Sequence, residues 1–440
     1  MGPMLLGSFL GGMLLRVPIG WALALASFVT LLVMTDTPLA VGAQRIVAGI
    51  TPFALLAIPL FILAGGIMNA GGITRRLLTL ADAIVGGWRG GLAQTNVLSS
   101  LFFGGISGSA VADISSLGRI LIDAMKARNY SAAYTAAVTA AAPIVAPIMP
   151  PSITMIVYGV VTGTSIGHLF FAGIVPALLY IAFLMVVVHL TVRKRGFTKE
   201  TVANTPDLSQ IGKTPKAERP KFWTSLWPAM PALLLPGVIL AGIRFGWFTA
   251  TEAAAVAVVY ALIVGLFVYR ELTWKKLVHA LAESSVMVGL IMLVLAAAQL
   301  YSWALTSGRV PQMIADAMFG ITENPVVLLL LVNVLLIVAG MFIEANAALI
   351  IITPILFPVL TSVGVDPVHL GIIIVVNLGI GLITPPVGIA LMLSSEFAKV
   401  SFISAIRAAW PFMLAGFVYL AVITYIPQIS LFLPALLGAS

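Results

Sequence analysis

Two short segments rich in oxygen-bearing side chains interrupt long apolar runs of this 440-residue chain. The first is GGISGSAVADISS (104–116) and the second is GMFIEANAA (340–348). Their oxygen-bearing candidates are Ser107, Ser109, Asp113, Glu344 and Asn346. Hydroxyl, amide and carboxylate oxygens are hard ligands that suit a small cation such as sodium. The chemistry that these residue types indicate is therefore the binding of a cation.

Each polar segment is followed by an apolar stretch that prolines interrupt. In YTAAVTAAAPIVAPIMPPSITMIVYGV the prolines are residues 143, 147, 150 and 151, and GIIIVVNLGIGLITPPVGIALML contains Pro385 and Pro386. A double proline removes amide donors and clashes with the preceding turn, so it unwinds a helix. Both breaks are therefore expected to face the polar segments and to present carbonyl oxygens near Pro147–Pro150 and polar groups at Asn377, Gly379 and Thr384.

Several polar residues allow two interpretations. Asp113 either takes part in the ion site or caps the second arm of a hairpin. Arg119 either forms an i,i+4 ion pair with Asp123 or receives an anionic substrate. Ser115 and Ser116 are interpreted as packing residues, because small side chains let helices approach closely. The candidate contacts of a substrate are Asp113, Arg119, Pro151, Ser152 and Pro385.

Composition identifies the chain as a membrane protein. Hydrophobic residues make up 61% of it, charged residues only 9%, and the mean hydropathy is +1.13, which excludes a soluble domain. The chain has no cysteine, so disulfides and thiol chemistry are excluded. No basic segment precedes the first apolar run, so no cleavable signal peptide is expected. Basic residues gather at span ends rather than on one face, which argues against nucleic-acid binding.

Basic residues also predict the topology. Eight of the eleven charged residues in 193–221 are Lys or Arg, so the positive-inside rule predicts a cytoplasmic linker there. We take the domains as 1–192, the linker 193–225, and 226–440. Both termini then face the periplasm, provided that residues 4–35 cross the membrane twice.

An internal repeat relates the two halves. At an offset of 235 residues, Gly105 aligns with Gly340, Ser109 with Glu344, and the first double proline with the second. The linker requires opposite orientations, so we predict an all-α polytopic fold of two inverted repeats. Each would hold a re-entrant hairpin, with arms of about 15 residues that are too short to cross a core of ~30 Å. The predicted tips lie near 105–110 and 342–347, and the predicted broken helices are 131–162 and 367–397.

This architecture indicates a secondary transporter. Two alternative functions, an intramembrane protease and a channel, must be weighed against it. Gly105-Ile-Ser107-Gly108 matches the G-x-S-G nucleophile motif of intramembrane proteases, but no histidine lies within a later span to activate the serine. A channel is the second rival, because half-helices can also line a pore. Each tip pairs here with a broken helix, which favours a closed, carried site.

Four long motifs, in order, resemble the large membrane subunit of the TRAP transporters, the DctM-like family. They are GGISGSAVADISSLGRILIDAMKARNYSAAYTAAVTAAAPIVAPIMPPS, FTATEAAAVAVVYALIVGLFVYRELTW, GMFIEANAALIIITPILFPV and NLGIGLITPPVGIALML. The resemblance covers nearly the whole chain. It implies an elevator mechanism, with the hairpins and broken helices as the transport domain and the other spans as the scaffold. It also implies sodium-coupled import of an organic acid, such as a C4-dicarboxylate or a sialic acid, across the bacterial inner membrane.

The resemblance further implies partners and ligands. The expected partners are a small four-helix membrane subunit and a periplasmic substrate-binding protein, with Na+ as coupling ion and no other cofactor. The ion ligands carried over are Ser107, Ser109, Met149, Pro150, Asn346, Gly379 and Thr384, with Asn377 beside them. Glu344 could ligate the ion, gate the site or touch the binding protein.

Overall fold

A computed structural model describes residues 1–15, 17–34, 37–197, 220–322 and 324–437, and within these ranges every regular element is a helix. The N-terminal half contains α1 (Gly2–Leu14), α2 (Ile19–Met34), α3 (Leu39–Ala48), α4 (Ala57–Ala70), α5 (Ile73–Val85), α6 (Gly91–Ser107), α7 (Ala110–Asp113), α8 (Arg119–Ala127), α9 (Ala132–Ala141), α10 (Ile153–Thr162) and α11 (Ile166–Arg195). The C-terminal half contains α12 (Phe222–Arg244), α13 (Ala250–Ile263), α14 (Trp274–Ser307), α15 (Val310–Ile321), α16 (Pro325–Phe342), α17 (Ala345–Ser362), α18 (Pro367–Gly381), α19 (Ile389–Ala398), α20 (Phe402–Tyr425) and α21 (Pro427–Leu436).

Short irregular turns complete these helices. Phe53–Leu56 and Ala142–Val145 are 3-10 turns, whereas Ile114–Gly118 and Val264–Val268 are π-helical. Eight helices of the described ranges are long and apolar enough to cross a membrane. The all-α polytopic fold predicted from the sequence is confirmed.

The hairpin arms are longer than predicted. α6 has 17 residues, and α16 and α17 have 18 each, so at 1.5 Å per residue the last two measure about 27 Å. Asn324 caps α16 and Glu344 caps α17, and α17 continues beyond its apolar residues through Thr361 and Ser362. Both arms of the second hairpin are therefore among the helices long enough to span.

The long helices sort into two packing groups. In one, α4 packs on α13 and α14, and α14 also packs on α2 and α3. In the other, α16 packs on α18, α9 packs on α19 and α20, and α10 packs on α17. α12 packs on α13 of the first group and α6 packs on α9 of the second, and the amphipathic helix α5 contacts both α12 and α6. The two groups also touch directly, through α14 and α17.

The predicted linker and first spans are described only in part. α11 extends to Arg195 and α12 starts at Phe222, so regular helix enters both ends of the predicted linker 193–225. Residues 198–219 lie outside the described residues. Residues 4–35 contain most of α1 and α2, of 13 and 16 residues, and whether each crosses the membrane stays a prediction.

Candidate functional site

The first tip, residues 107–109, separates α6 from α7. Gly108 adopts a left-handed conformation with φ +62°, which ends α6 at little cost because glycine has no Cβ. The amide of Ser109 donates to the Ser107 hydroxyl at 3.3 Å, and the Ser109 hydroxyl accepts from the amide of Ala112 at 3.4 Å. Ser109 is thus the N-cap of the second arm, and the alternative that Asp113 caps it is wrong.

The first tip lies directly against the first break, residues 142–151. A Cβ built on Gly104 would lie 2.8 Å from the Cα of Ala146, and one on Gly108 would lie 2.9 Å from the carbonyl oxygen of Pro151. Only glycine permits this approach of one backbone to another. The sequence expectation that this tip and this break face each other therefore agrees with the geometry.

The break ends where Ser152 caps α10. The Ser152 hydroxyl accepts from the amide of Met155 at 3.2 Å and donates to the carbonyl of Pro147 at 2.6 Å. The candidate residues Met149, Pro150 and Pro151 lie between these two partners, and the Pro150–Pro151 peptide bond is cis, as is Pro385–Pro386. The Ser152 hydroxyl is therefore engaged in holding the break together.

Asp113 lies at the end of α7 with an exposed fraction of 1%. The Ser107 side chain is within reach of its carboxylate, but neither carboxylate oxygen accepts a well-aligned hydrogen bond. Buried carboxylates are ordinarily paired or hydrogen-bonded, because burial without a partner is costly. Among the described residues the Ser107 hydroxyl is therefore the nearby donor for the buried Asp113 carboxylate.

A cavity of about 800 Å³ opens beside this carboxylate, between the first hairpin, α4 and α14. The hairpin contributes Ser107, Asp113, Ser115 and Ser116 to its wall, and the facing helices contribute Asn69, Glu283 and Ser284. Ser115 is exposed rather than packed, so its interpretation as a packing residue is wrong. The π-helical turn after Asp113 carries both serines. Such turns are rare in proteins overall, but many of those that occur lie at functional sites.

The second tip, residues 343–344, is built around a carboxylate. Glu344 is the N-cap of α17 and accepts from the amides of Asn346 and Ala347 at 2.9 and 3.2 Å. Its other oxygen accepts from Nδ2 of Asn346 at 2.9 Å. The Oδ1 atom of Asn346 is buried without a partner. The second tip thus leaves one free amide oxygen.

The second tip is joined to the second break, residues 382–388. A Cβ built on Gly381 would lie 2.6 Å from the Cα of Gly340, so the two glycines touch backbone to backbone. The carbonyl of Met341 accepts from the amide of Gly388 at 3.2 Å. Gly379, near the end of α18, faces Ile144, so the first break packs against the helix that leads into the second break.

Two further candidate ligand residues of the second repeat form hydrogen bonds to groups outside the second tip. Asn377 is fully buried and donates to Oδ1 of Asn333 and to the Ile373 carbonyl, each at 2.8 Å, instead of to a tip residue. Its own Oδ1 has no partner. The Thr384 hydroxyl donates to the Ile380 carbonyl at 2.8 Å, and Pro385 is half-buried in the break.

Arg119 and Asp123 form no ion pair within the part of the chain that the structure describes, so that interpretation is wrong. Both are exposed, and the Arg119 guanidinium lies 5.0 Å from the ring centroid of Phe397. Arg119 is not part of the cavity wall. Sequence reasoning missed Asn69, Glu283 and Ser284, because their polarity near helix ends resembles ordinary interfacial residues.

Comparisons with known proteins identify the family of this chain. Residues 6–429 match the family model described as "Tripartite ATP-independent periplasmic transporter, DctM component". The sialic acid TRAP transporter large permease SiaM of Vibrio cholerae is 39% identical over 97% of both chains. The C4-dicarboxylate large permease DctM of Pseudomonas aeruginosa is 39% identical over 95% of both, and the 2,3-diketo-L-gulonate large permease YiaN of Escherichia coli is 36% identical over 96% of both.

A solved structure shares the fold. The YdaH transporter of Alcanivorax borkumensis superposes with a TM-score of 0.60, at 17% identity, over 96% of this chain and 98% of its own. The relatives are transporter permeases and not proteases, which excludes the protease alternative.

Proposed function

The chain belongs to the DctM family of tripartite ATP-independent periplasmic transporters, and we propose that it imports an organic acid across the bacterial inner membrane with sodium as coupling ion. One observation carries this proposal: each hairpin tip is docked on a break in a helix through contacts that only glycine permits. Transporters bind ions and substrates at such discontinuous helices, where backbone carbonyls and helix ends meet. The geometry thus supports ion and substrate sites at these two places.

Sodium is the cation that the free oxygens favour. At the first tip a Cβ on Gly105 would lie 3.4 Å from the Pro150 carbonyl oxygen, so the hydroxyls of Ser107 and Ser109 and the carbonyls of Met149 and Pro150 are the proposed ligands. At the second tip the unpartnered Oδ1 of Asn346 lies next to Glu344, with Gly379 and Thr384 supplied by the adjoining helix and break. These are neutral oxygens with few carboxylates, which suits a monovalent ion better than a divalent one.

The substrate class rests on the relatives. Their names include sialic acid, C4-dicarboxylate and 2,3-diketo-L-gulonate permeases, which share a carboxylate. An anion would avoid Asp113, so we assign that residue to the cation and assign the substrate to the breaks, with Pro151 and Pro385 as candidate contacts. Sodium at the tips would supply positive charge there, so ion and substrate would raise each other's affinity equally.

The two packing groups are compatible with an elevator mechanism. In the proposed cycle the hairpins with α9, α10, α18 and α19 would move, and α1–α4 with α12–α14 would stay fixed. A small membrane subunit would enlarge the fixed group, and a periplasmic binding protein would deliver the acid. The channel alternative is less well supported, because each hairpin tip packs against its own helix break instead of lining an open pore.

Uptake into proteoliposomes tests the proposal. The chain is reconstituted with a small four-helix subunit and offered labelled organic acids, each with its binding protein, with and without an inward sodium gradient. We expect uptake of one acid that needs both the gradient and the binding protein. Downhill flux that needs neither would favour a channel and remove the ion sites.

A further inference from the structure

We propose that Ser152 is a positioning residue for the first tip. Its hydroxyl holds the turn of the first break in the shape that directs the carbonyls of Pro150 and Pro151 at the hairpin, whereas the second break closes the corresponding turn with backbone atoms alone. This role deepens the proposed function, and only the identity of the bound cation as sodium rests on that function.

Prolines leave one carbonyl in each break without its helical partner. In an α-helix the carbonyl of a residue accepts from the amide four positions later. The residues four positions after Pro147 and Leu382 are Pro151 and Pro386, which have no amide hydrogen. Pro147 and Leu382 correspond at the repeat offset of 235 residues, and both are buried. Each carbonyl therefore needs another donor, because an unpaired carbonyl inside a membrane protein is costly.

The two repeats supply that donor differently. In the second break the amide of Ala390 donates directly to the Leu382 carbonyl at 2.9 Å. At the same offset in the first repeat, the amide of Met155 donates instead to the Ser152 hydroxyl at 3.2 Å. That hydroxyl donates onward to the Pro147 carbonyl at 2.6 Å, so it bridges two groups whose counterparts bond directly in the second repeat. The position that corresponds to Ser152 there holds a valine, which cannot form such a bridge.

Two carbonyls of the first break are engaged away from the hairpin. That of Pro147 accepts from Ser152, at the turn into α10. That of Ile148 is covered by α11, since a Cβ built on Gly173 would lie 2.2 Å from its oxygen. Neither oxygen is therefore available to a ligand at the first tip.

Two later carbonyls face the hairpin. A Cβ built on Gly105 would lie 3.4 Å from the Pro150 oxygen, and one on Gly108 would lie 2.9 Å from the Pro151 oxygen. Both carbonyls belong to the turn that the Ser152 bridge closes, so the bridge fixes their direction. Carbonyl oxygens held in this way suit a small cation such as sodium. Without the bridge, both oxygens would be free to turn from the tip.

A single thiol can test the bridge, because the native chain has no cysteine. Met149→Cys places that thiol in the partly exposed part of the break, and uncharged methyl methanethiosulfonate measures its accessibility in membrane vesicles. In this background Ser152→Gly removes the bridge and costs a helix N-terminus little, and it should raise the reaction rate by about fivefold, because the turn opens locally. Ser152→Thr keeps the hydroxyl and should stay close to the parent rate.

Two controls separate the bridge from helix capping and from unfolding. Ser165→Ala removes a serine N-cap of α11 that accepts from an amide at 3.4 Å and lies outside both breaks, so it should not change the rate at position 149. Ser27→Cys places the sole thiol at a fully buried position of α2, which should stay unreactive when combined with Ser152→Gly. An unchanged rate with Ser152→Gly, an equal rise with Ser165→Ala or Ser152→Thr, or reaction at position 27 would each overturn the proposal.

Sodium is tested with the same variants. Replacing choline with sodium should slow modification of Met149→Cys, because a bound cation holds the carbonyls of the turn in place. Ser152→Gly should raise the sodium concentration for half-maximal protection by about tenfold, whereas Ser165→Ala should leave it unchanged. An unchanged concentration with Ser152→Gly would show a brace without a positioning role and would overturn the proposal. Absence of sodium protection in the parent, with the rate effect of Ser152→Gly intact, would support the bridge and remove sodium from the proposed function.

Discussion

The Nδ2 atom of Asn377 lies 2.8 Å from Oδ1 of Asn333, which ties the second broken helix to the first arm of the second hairpin. Asn333 also donates to Thr424 of α20 at 3.0 Å. In the first half the same two elements are tied by Asn96, which donates to Thr139 at 2.8 Å. Each hairpin is therefore fixed to its broken helix twice, by glycines at the tip and by an asparagine inside the arm.

We expect Asn333→Leu to destabilise the protein by about 1–2 kcal/mol, because it removes one of the two acceptors of the buried Asn377 amide. Asn333→Leu with Asn377→Leu should cost less than the sum of the two single changes. Unfolding in detergent micelles, followed by the exposure of buried tyrosines, measures all three variants. Strict additivity would show that the bond does not couple the two helices.

Gly381→Ala should push the second tip off its break, because the new Cβ would meet the Gly340 backbone at 2.6 Å. Overpacking of this kind costs about 1–3 kcal/mol, and we expect uptake to fall at least tenfold. Gly289→Ala in α14 is the matched control, because its Cβ would meet nothing within 4 Å. Wild-type uptake by Gly381→Ala, measured at equal membrane insertion, would contradict a tightly docked tip.

Ser109→Ala and Thr384→Ala should each raise the sodium concentration for half-maximal uptake more than they lower stability. Ser109→Ala also loses a helix cap, worth about 1 kcal/mol, so Ser109→Asp serves as a variant that keeps the cap. Uptake is measured over a sodium series, with thermal unfolding of the same preparations. Unchanged sodium dependence in both alanine variants would remove these hydroxyls from the ion sites.

Arg76 should be irreplaceable by lysine. Its guanidinium donates to the Gly72 carbonyl at 2.7 Å, pairs with Glu271 at 2.8 Å and lies 3.9 Å from the ring centroid of Tyr269. Because an ammonium cannot make all three contacts, Arg76→Lys and Arg76→Ala should lower the apparent unfolding temperature by similar amounts. Arg75→Ala, at the neighbouring exposed arginine, is the control. Wild-type stability of Arg76→Lys would show that Arg76 contributes only its positive charge.

Much of the fold could be predicted from the sequence. Composition and span lengths predicted the all-α membrane architecture, and the motifs predicted the family, which the match over residues 6–429 confirms. The lengths of the hairpin arms were underestimated, since α6 has 17 residues and α16 and α17 have 18 each, and α17 runs through the polar Thr361 and Ser362 beyond its apolar residues. The inverted orientation of the repeats stays a prediction.

The candidate site could be predicted only where local chemistry fixes it. Glycine and proline spacing gave the tips and breaks, since these residues act through their own backbone. The side-chain partners could not be predicted, because Asn377 bonds to a residue 44 positions away and Asp113 faces helices from two distant segments. Polar spacing along one helix carries no information about such neighbours.

The contact between Gly340 and Gly381 also restricts how this protein can evolve. No residue is smaller than glycine, so every substitution at either position adds atoms where the backbones already touch. Change in what the protein recognises must therefore accumulate in side chains around this joint, while the joint itself stays the same. Mutational tolerance should accordingly fall to its minimum at these two positions and rise again within one helical turn of them.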